Sequence, residues 1–181
     1  MLIAQTERLI LRRWLPGDRQ PFAQLNADPR VTEFLAETLS TADSDALAAR
    51  IESHFNLHGF GLCAVEYRVD GSFIGFIGLA IPTFQSHFTP CVEIGWRLSA
   101  DHWGLGLATE GAREMTRYAF EELGLKELVS FTATTNMRSR RVMEKLGMTH
   151  ETSDDFDHPR LPVGHPLRRQ VLYRLQRGMK I

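Results

Sequence analysis

Apolar positions along the chain switch repeatedly between strand spacing and helix spacing. Arg8 to Trp14 (R-L-I-L-R-R-W) predicts a short strand, stopped by Pro16-Gly17. A helix follows with Phe22 and Leu25 turned inward, ending near Asn26. Asp28-Pro29 opens a further helical turn, since proline suits a first helical position. Ser40 to Asp43 fits a capping signal, and Leu47, Ile51 and Phe55 (or His54) recur at helical spacing up to Gly59. Two strands, Leu62 to Val69 and Phe73 to Ile81, flank Asp70-Gly71, a dipeptide that favours a tight hairpin. A polar and aromatic loop, Pro82 to Pro90, leads into a strand from Val92 to Leu98.

The second half continues the alternation. A helix opening after Gly106 carries Ala108, Ala112, Met115, Ala119 and Leu123 on one face. Glu110, Arg113, Glu114, Arg117 and Glu121 lie toward the other, so this helix packs on a sheet and ends at Gly124. Leu128 to Ala133 reads as a strand and Asn136 to Leu146 as a short helix ended by Gly147. Met148 to Thr152 and Val171 to Leu175 are the last strands, separated by a long loop rich in Pro, His and Asp. Strands interspersed with helices, and a hairpin in the middle, give an α/β chain with a mixed sheet of about seven strands. A purely parallel sheet is excluded by the hairpin. The length of 181 residues fits a single domain over 1–181 with a proper core.

Composition narrows the function classes. Hydrophobic residues at 43% and charged residues at 24% are ordinary globular values. A net charge of −1 gives no general attraction to nucleic acid or anionic membranes. No apolar run approaches the ~20 residues of a membrane span. The start, Met1 to Glu7, lacks a basic segment leading a long apolar one and does not read as a signal peptide. Cys63 and Cys91 stand in strand-like stretches without metal-ligand spacing and read as reduced thiols, so no metal site and a cytoplasmic location are expected.

The stretch V-E-I-G-W-R-L-S-A-D-H-W-G-L-G-L-A-T-E, Val92 to Glu110, carries the candidate chemistry. Gly104 and Gly106 stand where a strand hands over to a helix, which lets backbone N–H groups approach an anion at a helix N-terminus. A dinucleotide fingerprint fails, because Gly104-Leu105-Gly106-Leu107-Ala108-Thr109 lacks the third small residue and the next strand ends without an acid. A phosphate-binding Gly-Lys-Ser/Thr is also missing. A purely structural glycine turn remains open on this pattern alone.

Two further stretches change that reading. T-E-R-L-I-L-R (Thr6 to Arg12) precedes the glycine turn, and N-M-R-S-R-R-V-M-E-K-L-G-M (Asn136 to Met148) follows it. With E-I-G-W-R-L and W-G-L-G-L-A-T-E, the chain resembles the GNAT superfamily of acetyl-CoA-dependent N-acetyltransferases, and within it the RimJ/RimL-type branch. Asp101 departs from the Gln or Arg that usually opens the family's phosphate loop.

The resemblance implies a splayed, mainly antiparallel sheet with pantetheine lying in the gap. It implies that Trp96 and Leu98 offer backbone groups to pantetheine, and that Trp103, Gly104, Leu105, Gly106, Leu107 and Ala108 surround the pyrophosphate. Asn136 would bond the pantetheine amide, and Ser139 would lie near the sulfur. Arg138, Arg140 and Arg141 either meet phosphates or form a solvated helix face. The reaction implied is direct attack of an amine on the thioester, with Glu93 as candidate base and Ser139, in place of the Tyr that many members carry where Met143 stands, as proton donor to the thiolate. Acetyl-CoA is then the co-substrate, the acceptor is a peptide N-terminus or a small amine, and a homodimer is compatible with the fold. A non-catalytic acyl-CoA-binding module is the competing reading. His158, His165 and Tyr173 stay unassigned.

Overall fold

The computed structural model describes residues 1–35 and 38–178. In chain order they form β1 (Leu2–Gln5), β2 (Leu9–Arg12), α1 (Arg19–Ala27), α2 (Pro29–Thr32), α3 (Thr41–His58), β3 (Leu62–Tyr67), β4 (Ser72–Ala80) and β5 (Glu93–Leu98). There follow α4 (Leu107–Glu121), β6 (Glu127–Ala133), α5 (Met137–Lys145), β7 (Thr149–His150), β8 (Phe156–Asp157) and β9 (Arg169–Gln176). All nine strands join one sheet, in the order β1-β2-β3-β4-β5-β6-β9-β7, with β8 also pairing β9. Two strands beyond the seven expected, β1 and β8, have four and two residues. Segments that short hold too few residues for alternation to show.

Local chemistry sets the boundaries. Ser40 accepts a hydrogen bond from the Asp43 N–H and starts α3, and Gly59 ends it at φ 78°. Asp28 caps α2 through the Arg30 N–H. Gly71, at φ 73°, takes the left-handed backbone that the hairpin between β3 and β4 requires.

The sheet separates two layers. On one face α4 presses on β4, where a Cβ at Gly111 would come within 2.5 Å of Ile77. Ile77, Ile94, Ala112, Met115 and Ala119 are fully buried there. On the other face α1 covers β4 through an edge-to-face contact of Phe22 with Phe76, ring centroids 6.1 Å apart. Gly95 and Arg97 of β5 pair with Gly78 and Phe76 of β4, so they share the α1 face.

One pairing breaks the sheet's regularity. Every neighbouring pair is antiparallel except β5 and β6, which run parallel and meet at a single register pair, Glu93 with Val129. The Val129 N–H bonds the Val92 carbonyl at 3.0 Å. Beyond that point the two strands part, and the gap between them is the cavity described next.

Candidate active site

A cavity of about 740 Å³ opens between β5 and β6. Its lining includes Glu93, Gly95, Trp96, Arg97 and Leu98 of β5, then Trp103, Gly104, Gly106, Leu107 and Ala108. Asn136 and Ser139 lie on the opposite wall. Of Glu93, Trp96, Leu98, Trp103 to Ala108, Asn136 and Ser139, Leu105 alone is outside the lining, about half exposed, with its carbonyl taken by Arg8 Nη1 at 2.9 Å.

The glycine turn is shaped to leave space. Gly104 and Gly106 sit at φ 76° and 80°, and a Cβ on Gly104 would meet nothing within 4 Å. Gly106 is the N-cap of α4, and no side chain caps this helix. The N–H groups of the first turn are therefore free to serve an anion. Asp101, the departure from the family pattern, is solvent-facing and lies 3.3 Å from Arg30.

The turn is fastened from behind by a network that sequence reading missed. Arg8 pairs with Glu110 of α4 at 2.6 Å while also holding Leu105. Thr6 Oγ1 and the Arg8 N–H donate to the same carboxylate at 2.6 and 2.9 Å. Burial pushes the Glu110 carboxyl up, but the hydrogen bonds from Thr6 and Arg8 outweigh it and hold it below the usual range. The T-E-R opening thus ties β2 to the first turn of α4. The signal was present in Thr6 and Arg8, yet their partner lies 104 and 102 residues away.

On β5, Glu93 has no cation beside it among the described residues, and burial pushes its carboxyl up to about 8. Arg97 stands on the same face, also without a counter-charge among the described residues, and burial brings its guanidinium down to about 10. Arg97 Nη1 donates to Asn26 Oδ1 at 2.5 Å, and its guanidinium sits 5.3 Å from the Phe76 ring centre. Sequence reading left Arg97 out, although the alternation Glu93-Gly95-Arg97 puts all three on one face. The Leu98 carbonyl accepts from Trp103 Nε1 at 2.9 Å.

Across the gap, Asn136 caps α5, accepting from the Ser139 N–H at 3.2 Å and donating to Thr132 Oγ1 at 2.9 Å. Capping thus falls to Asn136, and the Ser139 hydroxyl is left without a protein partner among the described residues while lining the cavity. Met143 is fully buried. Arg138 and Arg141 line the cavity, and Arg138 stacks 4.5 Å over Trp103. Arg140 instead holds the Thr134 carbonyl and Tyr173. Tyr173 is a core residue, 3% exposed and stacked on His150.

The remaining wall comes from the loops. Phe84, Phe88, Phe131 and Phe156 form a small aromatic core beside the cavity. His158 lies 4.7 Å from the Phe84 ring and reaches the cavity together with Arg160, Leu161 and Leu167. Burial, with Arg160 nearby, depresses the His158 pKa and favours the neutral ring. His165 accepts the Leu167 N–H within its own turn and is absent from the lining.

Comparison with known proteins is decisive at this point. The family model described as acetyltransferase (GNAT) domain matches residues 8–149. The chain belongs to the GNAT acetyltransferase family. It is 40% identical over 134 residues to the FsC-acetyl coenzyme A-N(2)-transacetylase of Aspergillus fumigatus, covering 70% of this chain and 56% of that protein. The chain thus matches little more than half of that relative's length. The acetyltransferase from Agrobacterium tumefaciens superposes with a TM-score of 0.76 at 27% identity, covering 96% of this chain and 93% of its own. The ribosomal-protein-S5-alanine acetyltransferase from Vibrio fischeri shares the fold at 12% identity, with a TM-score of 0.76 and 97% of each chain covered.

The matched stretch is accordingly a GNAT acetyltransferase domain. The splayed gap and the side-chain-free cradle at Gly104 and Gly106 fit coenzyme A. Among the described residues no cluster of metal ligands occurs, and no helix is long and apolar enough to cross a membrane.

Proposed function

We propose that the protein, a single domain over 1–181, transfers an acetyl group from acetyl-CoA to a primary amine, an α-amine being favoured. The observation that carries this reading is the placement of Glu93 and Ser139 on the walls of one cavity that also contains the glycine cradle. Trp96 and Leu98 would hold pantetheine through their backbones, Asn136 would hold its amide, and Trp103 to Ala108 would hold the pyrophosphate. Leu105 contributes only backbone to that cradle.

The amine must be neutral to attack the thioester carbon. An α-amine, with a pKa near ~8, is about one-tenth neutral at pH 7, whereas a Lys near ~10.4 is under about one in a thousand. A base with a pKa near 8 is matched to the first and poorly matched to the second. As the C–N bond forms, one amine proton passes to Glu93, directly or through water. As the C–S bond breaks, the Ser139 hydroxyl donates to the departing thiolate.

The non-catalytic alternative is weakened because Glu93 and Ser139 both face the cavity. Small polycationic amines are disfavoured as acceptors: among the described residues Glu93 is the one carboxylate in the lining, against Arg30, Arg97, Arg138, Arg141, Lys145 and Arg160. Likeness to an N(2)-transacetylase supports nitrogen as the acceptor atom. Free-thiol release from acetyl-CoA, screened against peptides with varied N-termini and a panel of small amines, tests the proposal. Absence of any thermal shift or calorimetric signal with millimolar acetyl-CoA would sink it.

A further inference from the structure

Arg97 has a charge that its structural role does not use. It fastens α1 to β5 by donating to Asn26 Oδ1, and Asn26 in turn donates to Ser44 Oγ at 2.9 Å. One neutral N–H donor would suffice for that link. A guanidinium presents five donors and stays charged, so placing it in a low-dielectric site without a counter-ion is costly. Among the described residues no carboxylate lies beside it, and burial lowers its pKa. Its other donors are not among the buried unpartnered atoms, which are Ser72 Oγ and His102 Nδ1. They open instead on the cavity that Arg97 lines.

Glu93 is the mirror case on the same strand face. It too lines the cavity and has no partner of opposite charge among the described residues. Three residues of strand stand between the two, roughly 13 Å between Cα atoms, which long side chains shorten considerably. Between them stands Gly95, where a Cβ would meet only Glu93 Oε1, at 3.8 Å. The wall is thus a trough with a proton acceptor at one end, a cation at the other, and room in the middle. The pyrophosphate cradle lies beyond β5, at the start of α4, which packs on the opposite face of the sheet from Asn26 and Phe76.

We propose that the acceptor carries a carboxylate within a few bonds of its amine, and that Arg97 receives this carboxylate while Glu93 faces the amine. The proposal rests on the acetyl-transfer reading above and adds the substrate class to it. Arg97 is here a specificity determinant, not a participant in proton transfer.

The test uses matched acceptors that differ only in a free carboxylate or its carboxamide, with several spacings from the amine. The full chain should favour the acid at one spacing by about tenfold in kcat/KM, mainly through KM, as expected for a charge-assisted bond in a partly dry site. In Arg97→Gln that ratio should fall to about one, and Arg97→Lys should restore part of it. Calorimetry of the unmodified protein with the acetylated products, acid against amide, gives the same comparison without a variant. Equal kcat/KM for acid and amide at every spacing overturns the inference. So does a ratio that survives Arg97→Gln, or a loss confined to the KM for acetyl-CoA, which would assign Arg97 to the donor's phosphates. Failure to acetylate any amine would instead overturn the acetyl-transfer reading itself, so the two failures are distinguishable.

Discussion

The two ends of the cavity are built on different principles. The donor end is mostly backbone: a strand edge, two left-handed glycines and an uncapped helix start, running from Trp96 to Ala108 and faced by the Asn136 cap. The acceptor end is side chains brought from afar, with Asn26 and Phe76 holding Arg97 and the loop residues Phe84, Phe131 and His158 packing on one another. A backbone cradle tolerates many sequences provided its glycines remain. A side-chain wall can be rebuilt residue by residue, and so can follow a new acceptor. The helix starts teach the same lesson: α3 and α5 are closed by Ser40 and Asn136, while α4, facing the cavity, is left open.

The largest effect should come from the acceptor wall. Glu93→Gln removes the base and should lower kcat by about 10²–10³, with acetyl-CoA affinity preserved. The wild-type kcat/KM should rise with pH through about 8, as Glu93 ionises. With an acceptor whose amine titrates well below 7, that limb belongs to Glu93 and should vanish in the variant. Stability should move the opposite way. Folding raises the Glu93 pKa from 4.5 to about 8, so the folded state holds the proton across that window and loses stability as pH rises through it. Glu93→Gln should therefore be more stable than wild type at pH 8, by up to about 4 kcal/mol, and the gain should shrink toward pH 5. Equal melting temperatures at both pH values would show that the carboxylate is solvated.

The next effect belongs to the donor end. Gly106→Val places a β-branched residue at φ 80°, which costs about 1–2 kcal/mol of backbone strain or shifts the turn. Its KM for acetyl-CoA should rise about tenfold with acceptor preference intact, and an altered preference would join the two ends that are separated here. Ser139→Ala comes third, with kcat reduced about tenfold for the loss of one hydrogen bond to the thiolate. Because Asn136 supplies the cap through its own side chain, helix stability should hold, and circular dichroism melts would check this.

How much of this could be read from the chain follows the same division. The donor end was legible because its parts are local: Gly104, Gly106 and the Asn136 cap announce themselves by residue type and position. The hairpin at Asp70-Gly71 and the α3 cap at Ser40 were readable for the same reason. Arg97 was not, since nothing in E-I-G-W-R-L says which carboxylate is missing; only the packed structure shows it half-buried beside Asn26 with no counter-charge among the described residues. His158 and His165 looked alike in sequence and parted in space, one lining the cavity and one closing its own turn. β1 and β8 escaped because their pairing partners, not their own patterns, make them strands.

The smallest expected effect probes whether the donor end is as self-contained as its contiguity suggests. Glu110 lies outside the cavity lining yet anchors Thr6, Arg8 and, through Arg8, the Leu105 carbonyl. Glu110→Gln keeps the shape and removes the charge that Arg8 pairs with. The pair is only partly buried, with Arg8 38% exposed, so about 1 kcal/mol of stability should be lost. If the pair also positions the glycine turn, the KM for acetyl-CoA should rise two- to fivefold while kcat at saturation stays unchanged. Because folding depresses the Glu110 pKa, the pair's contribution is present above the unfolded value of about 4.5 and fades as pH falls below it. The KM difference between wild type and variant should then narrow below pH 5. A KM equal to wild type at neutral pH would mean that backbone geometry alone sets the cradle, and that the link from β2 to α4 serves the fold and not the donor.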